Sequence, residues 1–326
     1  MTSRPSRPFP AMLLRLMCCA AVMALTACAS GQGVAPSSAG LSVSRPRPAG
    51  GSAAQLAALR DDRPQRRTLF EAQERAISVC MARRGLLYSP AAWQTPQDEI
   101  TAADQVTAGD DVAAARTVGY GITAVPRQQP YDRNGAYVAS LPTAQQAAYS
   151  EALDGTAQHR LDAALPNGEV TFVYTDGCIA QAEARIYGDL KGWLVADTTV
   201  INLGTDLDNL VRGDSALART EQPWSACMAK EGYHFSTPNE ARNTIAHAAD
   251  KATQPSWKQL GGQEINQAVA DATCDRAVGR ARLARTLADT YANRLLHDRA
   301  PQITSYLTLR DRALANLTPT SRRAHG

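Results

Sequence analysis

The chain has 326 residues, enough for one large domain or two small ones, each with its own hydrophobic core. Its 34 basic and 31 acidic residues give a formal net charge of only +3 at pH 7. Residues 1–27 contain three arginines and no acidic residue, so the rest of the chain is formally neutral. This balance gives no whole-chain electrostatic support for a nucleic-acid partner, and none is predicted.

Residues 1–27 are typical of a signal peptide. The three arginines precede an apolar run over residues 16–25 that is too short to span a bilayer. Residues 25–28 (Leu-Thr-Ala-Cys) resemble the lipobox of bacterial lipoproteins, in which the cysteine becomes the mature N-terminus and carries a diacylglyceryl group. We therefore predict lipidation of Cys28 and a location on the outer face of the cytoplasmic membrane. An ordinary secretory signal cleaved nearby is the alternative.

The next segment, residues 28–60, is rich in Ala, Ser, Gly and Pro and poor in large apolar residues. This composition predicts a flexible tether between the membrane and the folded part of the chain. At the other end, we expect residues 319–326 to form a disordered tail.

In the first half of the folded region, assigned to residues 61–218, the periodicity of apolar residues predicts several helices. They are expected over residues 67–84, where Gly85 is placed to end the helix, and over residues 111–118, 143–153 and 178–189. Residues 169–174 (Glu-Val-Thr-Phe-Val-Tyr) are strand-like and are bounded by turn signals.

The second half, assigned to residues 219–318, is more regular. A threonine cap, a proline and an acid predict a helix that begins at Thr237. A long helical stretch follows over residues 263–298, interrupted only by Gly279, and Pro301 begins a final helix that runs to about residue 317. The predicted fold class is therefore all-α, with a long C-terminal helix pair and at most a minor strand-like insert.

A cysteine-containing motif occurs twice. Residues 80–88 (Cys-Met-Ala-Arg-Arg-Gly-Leu-Leu-Tyr) recur as residues 227–235 (Cys-Met-Ala-Lys-Glu-Gly-Tyr-His-Phe). The two copies share Cys-Met-Ala, a basic residue and a glycine at the same offset, and an aromatic residue three positions after that glycine. Such self-similarity indicates an internal duplication, so we expect two related helical halves.

Four cysteines remain once Cys28 and the two cysteines of the signal peptide are set aside. An even number in an oxidising compartment predicts two disulfides, although four cysteines allow three connectivities. One bond per repeat is the simplest arrangement, pairing Cys80 with Cys178 and Cys227 with Cys274. A metal site is not predicted, because the cysteines show no C-x-x-C spacing and have no histidine close in sequence.

The chain resembles uncharacterised secreted lipoproteins of actinobacteria. The similarity is carried by residues 224–233 (Trp-x2-Cys-Met-x3-Gly-Tyr), residues 263–274 (Gln-Glu-Ile-x3-Val-Ala-Asp-x2-Cys) and parts of residues 137–190. The strand-like insert at 169–174 and Thr273 before the last cysteine depart from the family pattern. The resemblance implies a lipid anchor and helical halves, and it implies no biochemical activity.

Signatures of known chemistry are absent from the sequence. It contains no G-x-S-x-G, H-E-x-x-H or P-loop motif, and no cofactor is predicted. Residues 204–209 (Gly-Thr-Asp-Leu-Asp-Asn) suggest a calcium loop but lack its glycine and glutamate, so a capped helix start is preferred. An acidic stretch offers candidate paired carboxylates, for which a solvated loop is the alternative: Asp98, Glu99, Asp104, Asp110 and Asp111.

The last 52 residues carry a local excess of arginine. We predict a basic surface that could meet anionic lipid or wall polymers, and a solvated helix face is the alternative. Its members are Arg276, Arg280, Arg282 and Arg285.

Together these patterns predict a lipid-anchored extracytoplasmic protein that acts as a non-catalytic binding or envelope-associated scaffold, with an envelope polymer or protein as its partner. An envelope-acting hydrolase or transferase that uses carboxylates of residues 98–111 is the alternative.

Overall fold

The computed structural model describes residues 51–60, 63–93, 109–123 and 132–317, and three quarters of these residues are helical. Residues 1–50, which include the predicted signal peptide and Cys28, lie outside the described residues, as does the predicted tail. The helices are α1 Ser52–Arg60, α2 Arg63–Arg83, α3 Val112–Val118, α4 Arg133–Ser140, α5 Thr143–Asp154, α6 Cys178–Tyr187, α7 Leu190–Arg212, α8 Ser215–Ala218, α9 Glu221–Lys230, α10 Pro238–Lys251, α11 Gln254–Val278, α12 Arg280–Asp298 and α13 Ala300–Leu317. A short 3-10 turn, Ala157–His159, precedes strands β1 Arg160–Ala164 and β2 Val170–Tyr174.

The predicted all-α, disulfide-bonded class is confirmed. Both predicted disulfides form, Cys80 with Cys178 and Cys227 with Cys274, so each copy of the motif is closed by one bond. The glycine after each cysteine helix has a positive φ, +74° at Gly85 and +85° at Gly232. This left-handed cap lets the chain reverse directly after each helix.

Helix α7 lies at the centre of the largest hydrophobic core. It packs against α12 and α13, and α1, α2 and α6 complete the cluster. Trp193 of α7 stacks on Tyr187 at a centroid distance of 3.5 Å and on Tyr306 at 5.5 Å. The largest core crosses the predicted division at residues 218 and 219. α12 and α13, assigned to the second half, pack on the first, because their alanine and leucine faces cover α7.

Two sequence predictions about local structure are wrong. Residues 52–60 were expected within the flexible tether but form α1, because Leu56, only 2% exposed, packs in the core with α7 and α12. Residues 204–209 are neither a calcium loop nor a helix start. They lie inside α7, where Leu203 and Leu207 are buried and continue its apolar stripe.

The strand-like residues form half of a β-hairpin. β2 pairs antiparallel with β1, with Leu161 opposite Val173 and Asp162 opposite Phe172. β1 was not predicted, because Arg-Leu-Asp-Ala-Ala has no strand-like composition. Ala163 and Val173 face inward and pack on Leu194 of α7. The alternate residues of both strands face outward.

The long helical stretch of the second half ends and restarts at Gly279, whose φ of +70° and ψ of +22° are left-handed. It therefore forms two helices, α11 and α12, with a corner between them. None of the helices in the described ranges is both long and apolar enough to cross a membrane.

Candidate functional site

The densest group of buried acidic side chains lies on one side of α11. Its members, Glu264, Asp271 and Asp275, are spaced by seven and four residues and therefore share a helix face. Glu264 and Asp271 bind residues 109–123, the segment that covers this face, and Asp275 binds the start of α12. Buried acids with perturbed pKa values are candidates for chemistry, so the partners of each one decide its role.

Glu264 is wholly buried and holds the end of the covering segment. Its two carboxylate oxygens accept hydrogen bonds from the backbone N–H of Ile122 at 2.7 Å and of Thr123 at 2.8 Å, and from the Thr123 hydroxyl at 2.5 Å. Three donors satisfy the oxygens of this carboxyl group, which would otherwise be costly to bury. Glu264 therefore holds Ile122 and Thr123 against α11.

Asp271 joins three elements. Its Oδ1 accepts a hydrogen bond from Trp224 Nε1 of α9 at 2.8 Å, and its Oδ2 accepts one from the Tyr120 hydroxyl at 3.0 Å. Burial raises the pKa of Asp271 to about 6, although both hydrogen bonds oppose that rise. The guanidinium of Arg242 lies 5.6 Å from the centre of the Tyr120 ring and closes the same site from α10.

Asp275 fixes the corner between α11 and α12. It accepts a hydrogen bond from the backbone N–H of Ala281 at 2.7 Å and forms an ion pair with Arg280 at 3.4 Å. Both side chains are buried, and burial raises the pKa of Asp275. The prediction that Arg280 belongs to a basic surface is wrong, because its side chain turns inward to Asp275.

Two other members of the predicted basic surface bind the acidic stretch. Arg285 forms two hydrogen bonds of 2.9 Å to the carboxylate of Asp110, and Arg276 donates to the backbone carbonyl of the same residue. The hydrogen bonds from Arg285 hold the pKa of Asp110 below its ordinary value. Arg282 is exposed. The four arginines therefore do not form one free basic face.

The acidic stretch does not assemble a catalytic pair in the described residues. Asp110 is bound to Arg285, and Asp111 caps α3 by accepting a hydrogen bond from the Ala114 N–H at 3.0 Å. Asp98, Glu99 and Asp104 lie outside the described residues. The described ranges also contain no group of three His, Cys, Asp or Glu side chains able to hold a metal ion.

An open depression of about 600 Å³ lies along the outer side of α9. Small side chains such as Ala226, Ala229 and Ser225 form most of its wall, and Glu221 is its one titratable lining residue. Ligand sites are usually enclosed and lined by aromatic and apolar groups with a few convergent polar ones. This depression has neither property.

Another buried acid, Glu74, lies in α2, the first cysteine helix. Glu74 accepts hydrogen bonds from the Tyr88 hydroxyl at 3.0 Å and from the Ala91 N–H at 2.7 Å. Burial and the neighbouring Glu74 raise the pKa of Tyr88 far above its ordinary value. This acid, too, closes a loop onto its own helix.

The roles of Glu264, Asp271 and Glu74 were not predicted from the sequence. One signal was available: Trp224 and Asp271 each stand three residues before a cysteine of the same disulfide, so one helical turn brings both side chains beside that bond. Glu264 gave no comparable signal, because its partners are more than 140 residues away.

Comparison of the chain with protein-family models, curated proteins and solved structures finds no significant match.

Proposed function

We propose that this chain is a lipid-anchored extracytoplasmic protein whose helical body is a non-catalytic binding or scaffold module of the cell envelope. The lipobox and the family resemblance at residues 224–274 support the anchor. The two disulfides support an oxidising compartment, since such bonds persist outside the cytoplasm.

One observation carries the non-catalytic role. Each of the three acids on α11, the group most similar to an active site, already accepts hydrogen bonds from the chain itself. In the part of the chain that the structure describes, residues 109–123 cover Glu264 and Asp271 on this face of α11. Their positions instead fasten that segment and the α11–α12 corner.

The anchor is tested by metabolic labelling of producing cells with an alkyne fatty acid, followed by membrane fractionation. We expect label on the wild-type chain in the membrane fraction and its loss in Cys28→Ala. Cys19→Ala, also within the N-terminal segment, is the matched control and retains the label. An unlabelled wild-type chain, or a labelled Cys28→Ala chain, contradicts the anchor.

The non-catalytic role is tested separately, by incubating the purified full chain with isolated envelope polymer and identifying released fragments by mass spectrometry. We expect no release. Release by the wild type that is abolished in the triple variant Asp98→Asn, Glu99→Gln, Asp104→Asn would establish the hydrolase instead.

A further inference from the structure

We propose that the outer face of the β-hairpin rests on the lipid surface to which the chain is anchored. The hairpin face is defined as the six residues whose side chains point away from the body: Arg160, Asp162, Ala164, Val170, Phe172 and Tyr174. The proposal rests on the lipid anchor of the proposed function and adds the part of the body that meets the membrane.

On β2, the hairpin face is apolar where an ordinary surface strand is polar. Val170 is 58% exposed and Phe172 is 42% exposed, and the two lie on the same side of β2. On the inward side, Ala163 and Val173 are already buried against Leu194. The apolar residues of β2 therefore occupy both faces, and the folded body accounts for only one of them.

Helix α7 extends this apolar character. Ile201 is 52% exposed and is seven residues from Leu194, so helical periodicity places it on the side of α7 that carries the hairpin. Three of the largest exposed apolar side chains of the described residues thus belong to one region of the molecule.

The polar groups of the hairpin face suit a membrane interface. The Arg160 guanidinium lies 3.8 Å from the centre of the Phe172 ring and 2.7 Å from the Asp162 carboxylate. The Tyr174 ring lies 5.4 Å from that of Phe172. Aromatic rings beside a long cationic side chain can place their apolar parts among acyl chains and leave the charge at the headgroups.

The start of the ordered body lies near the hairpin. The Ala53 N–H donates to Asp289 at 3.0 Å and the Ser52 hydroxyl lies 3.4 Å from Asn293, so α1 begins against the C-terminal half of α12. Arg299, at the end of α12, reaches the Pro166 carbonyl in the hairpin turn at 3.5 Å. From Asn293 to Arg299 the helix rises only about 9 Å.

The anchor therefore enters the body beside the hairpin. Because α1 begins at Ser52, only residues 29–51 separate the predicted lipidated cysteine from α1, and 23 residues cannot span more than about 80 Å. Two or three apolar side chains bind a bilayer too weakly to recruit a protein from solution. A short tether raises their local concentration at the membrane enough for such a weak contact to persist.

The test places a photoreactive benzoylphenylalanine at Phe172, and in a second variant at Val170, in the full chain within native membranes. Val118 is the matched control, since it is 45% exposed but lies on α3 against α11. After illumination, we expect phospholipid adducts at positions 172 and 170 in several-fold excess over position 118. The Cys28→Ala chain should lose this excess.

Adducts at 172 and 170 that contain only protein, or a lipid yield no greater than at 118, would overturn the hairpin contact. Fatty-acid labelling of the same samples separates the two proposals. A labelled chain without lipid adducts rejects the hairpin contact alone. An unlabelled chain rejects the anchor, and the adducts at 172 and 170 still decide the hairpin contact.

Discussion

The two cysteine units, built around Cys80–Cys178 and Cys227–Cys274, have the same turn after the first cysteine. They differ in the contacts that they make with other parts of the chain. In both, the serine two residues before the first cysteine donates to the carbonyl of the aromatic residue ten positions later: Ser78 to Tyr88 at 3.1 Å and Ser225 to Phe235 at 2.6 Å. The methionine after the cysteine is wholly buried in both. These common contacts explain why the motif itself is repeated.

The difference lies three residues before each cysteine. The first unit has Ile77 and Thr175 at these positions, and Ile77 packs in an apolar cluster. The second has Trp224 and Asp271, which bond to each other and recruit Tyr120 from a distant segment. The second unit therefore has the same closure as the first and one additional contact, made by two different side chains beside the disulfide.

Removal of the disulfides is expected to have the largest effect. The bonds close separations of 98 and 47 residues, for which the chain-entropy estimate is about 4.7 and about 4 kcal/mol of unfolding free energy. Urea unfolding of Cys80→Ser/Cys178→Ser and of Cys227→Ser/Cys274→Ser measures both losses. A loss below about 1 kcal/mol in either pair would show that the bond does not stabilise its unit.

Two glycines of the covering segment provide the next test. Gly119 and Gly121 both have positive φ, +61° and +79°, but a Cβ at Gly119 would lie 2.7 Å from Glu264 Cγ, whereas one at Gly121 would meet no atom within 4 Å. We expect Gly119→Ala to lose about 3 kcal/mol and Gly121→Ala about 1 kcal/mol. Denaturant unfolding measures both, and equal losses would contradict the fastening role of Glu264.

The stability of the second unit should depend on pH through Asp271. The pKa of Asp271 is about 6 in the folded chain and exceeds the ordinary value of 3.8, so ionisation of Asp271 lowers the free energy of unfolding. This loss of stability is complete above pH 6 and disappears as the pH falls toward 4. The penalty is at most about 3 kcal/mol. The unfolding free energy of Asp271→Asn minus that of the wild type should therefore be larger at pH 7.5 than at pH 4.

Asp110→Asn is the control of opposite sign. Because Arg285 lowers the pKa of Asp110, its stabilising contribution is present at neutral pH and is lost as the solution is acidified. Asp110→Asn should thus be less stable than the wild type at pH 7.5 and approach it under acid conditions. Unfolding free energies measured across this pH range would refute the account if both differences were flat.

The smallest expected effect concerns the arginines of α12. Arg285→Ala removes a half-exposed ion pair to Asp110 and should cost less than about 1 kcal/mol, with a smaller cost at high salt. Arg282→Ala is the matched exposed control and should leave stability unchanged. A large, salt-independent loss in Arg285→Ala would show that the pair is not governed by screened electrostatics.

Features determined by neighbours in the chain could be predicted from the sequence. The glycine caps at 85 and 232 and the threonine cap of α10 each follow from residues close in the chain. The disulfide pairing followed from the repeat, as the simplest of three connectivities. The break at Gly279 was also visible as the one interruption of a long helical stretch.

Features determined by distant contacts could not be predicted from the sequence. β1 is a strand only because β2 supplies its hydrogen bonds, and the Ala-rich α1 is stable because Leu56 enters a core built from residues 69–313. Nothing in the sequence distinguishes Arg280 from the exposed arginines near it. Its side chain is buried because the corner at Gly279 places it beside Asp275. In each case tertiary packing overrides local composition.

Intact-mass analysis of the full protein extracted from membranes, under non-reducing conditions, tests the central claim most directly. The proposed lipid anchor and the two disulfides predict a chain that begins at Cys28, carries a diacylglyceryl modification and lacks four hydrogens. A chain that retains residues 1–27, or one that begins elsewhere without lipid, would contradict the account.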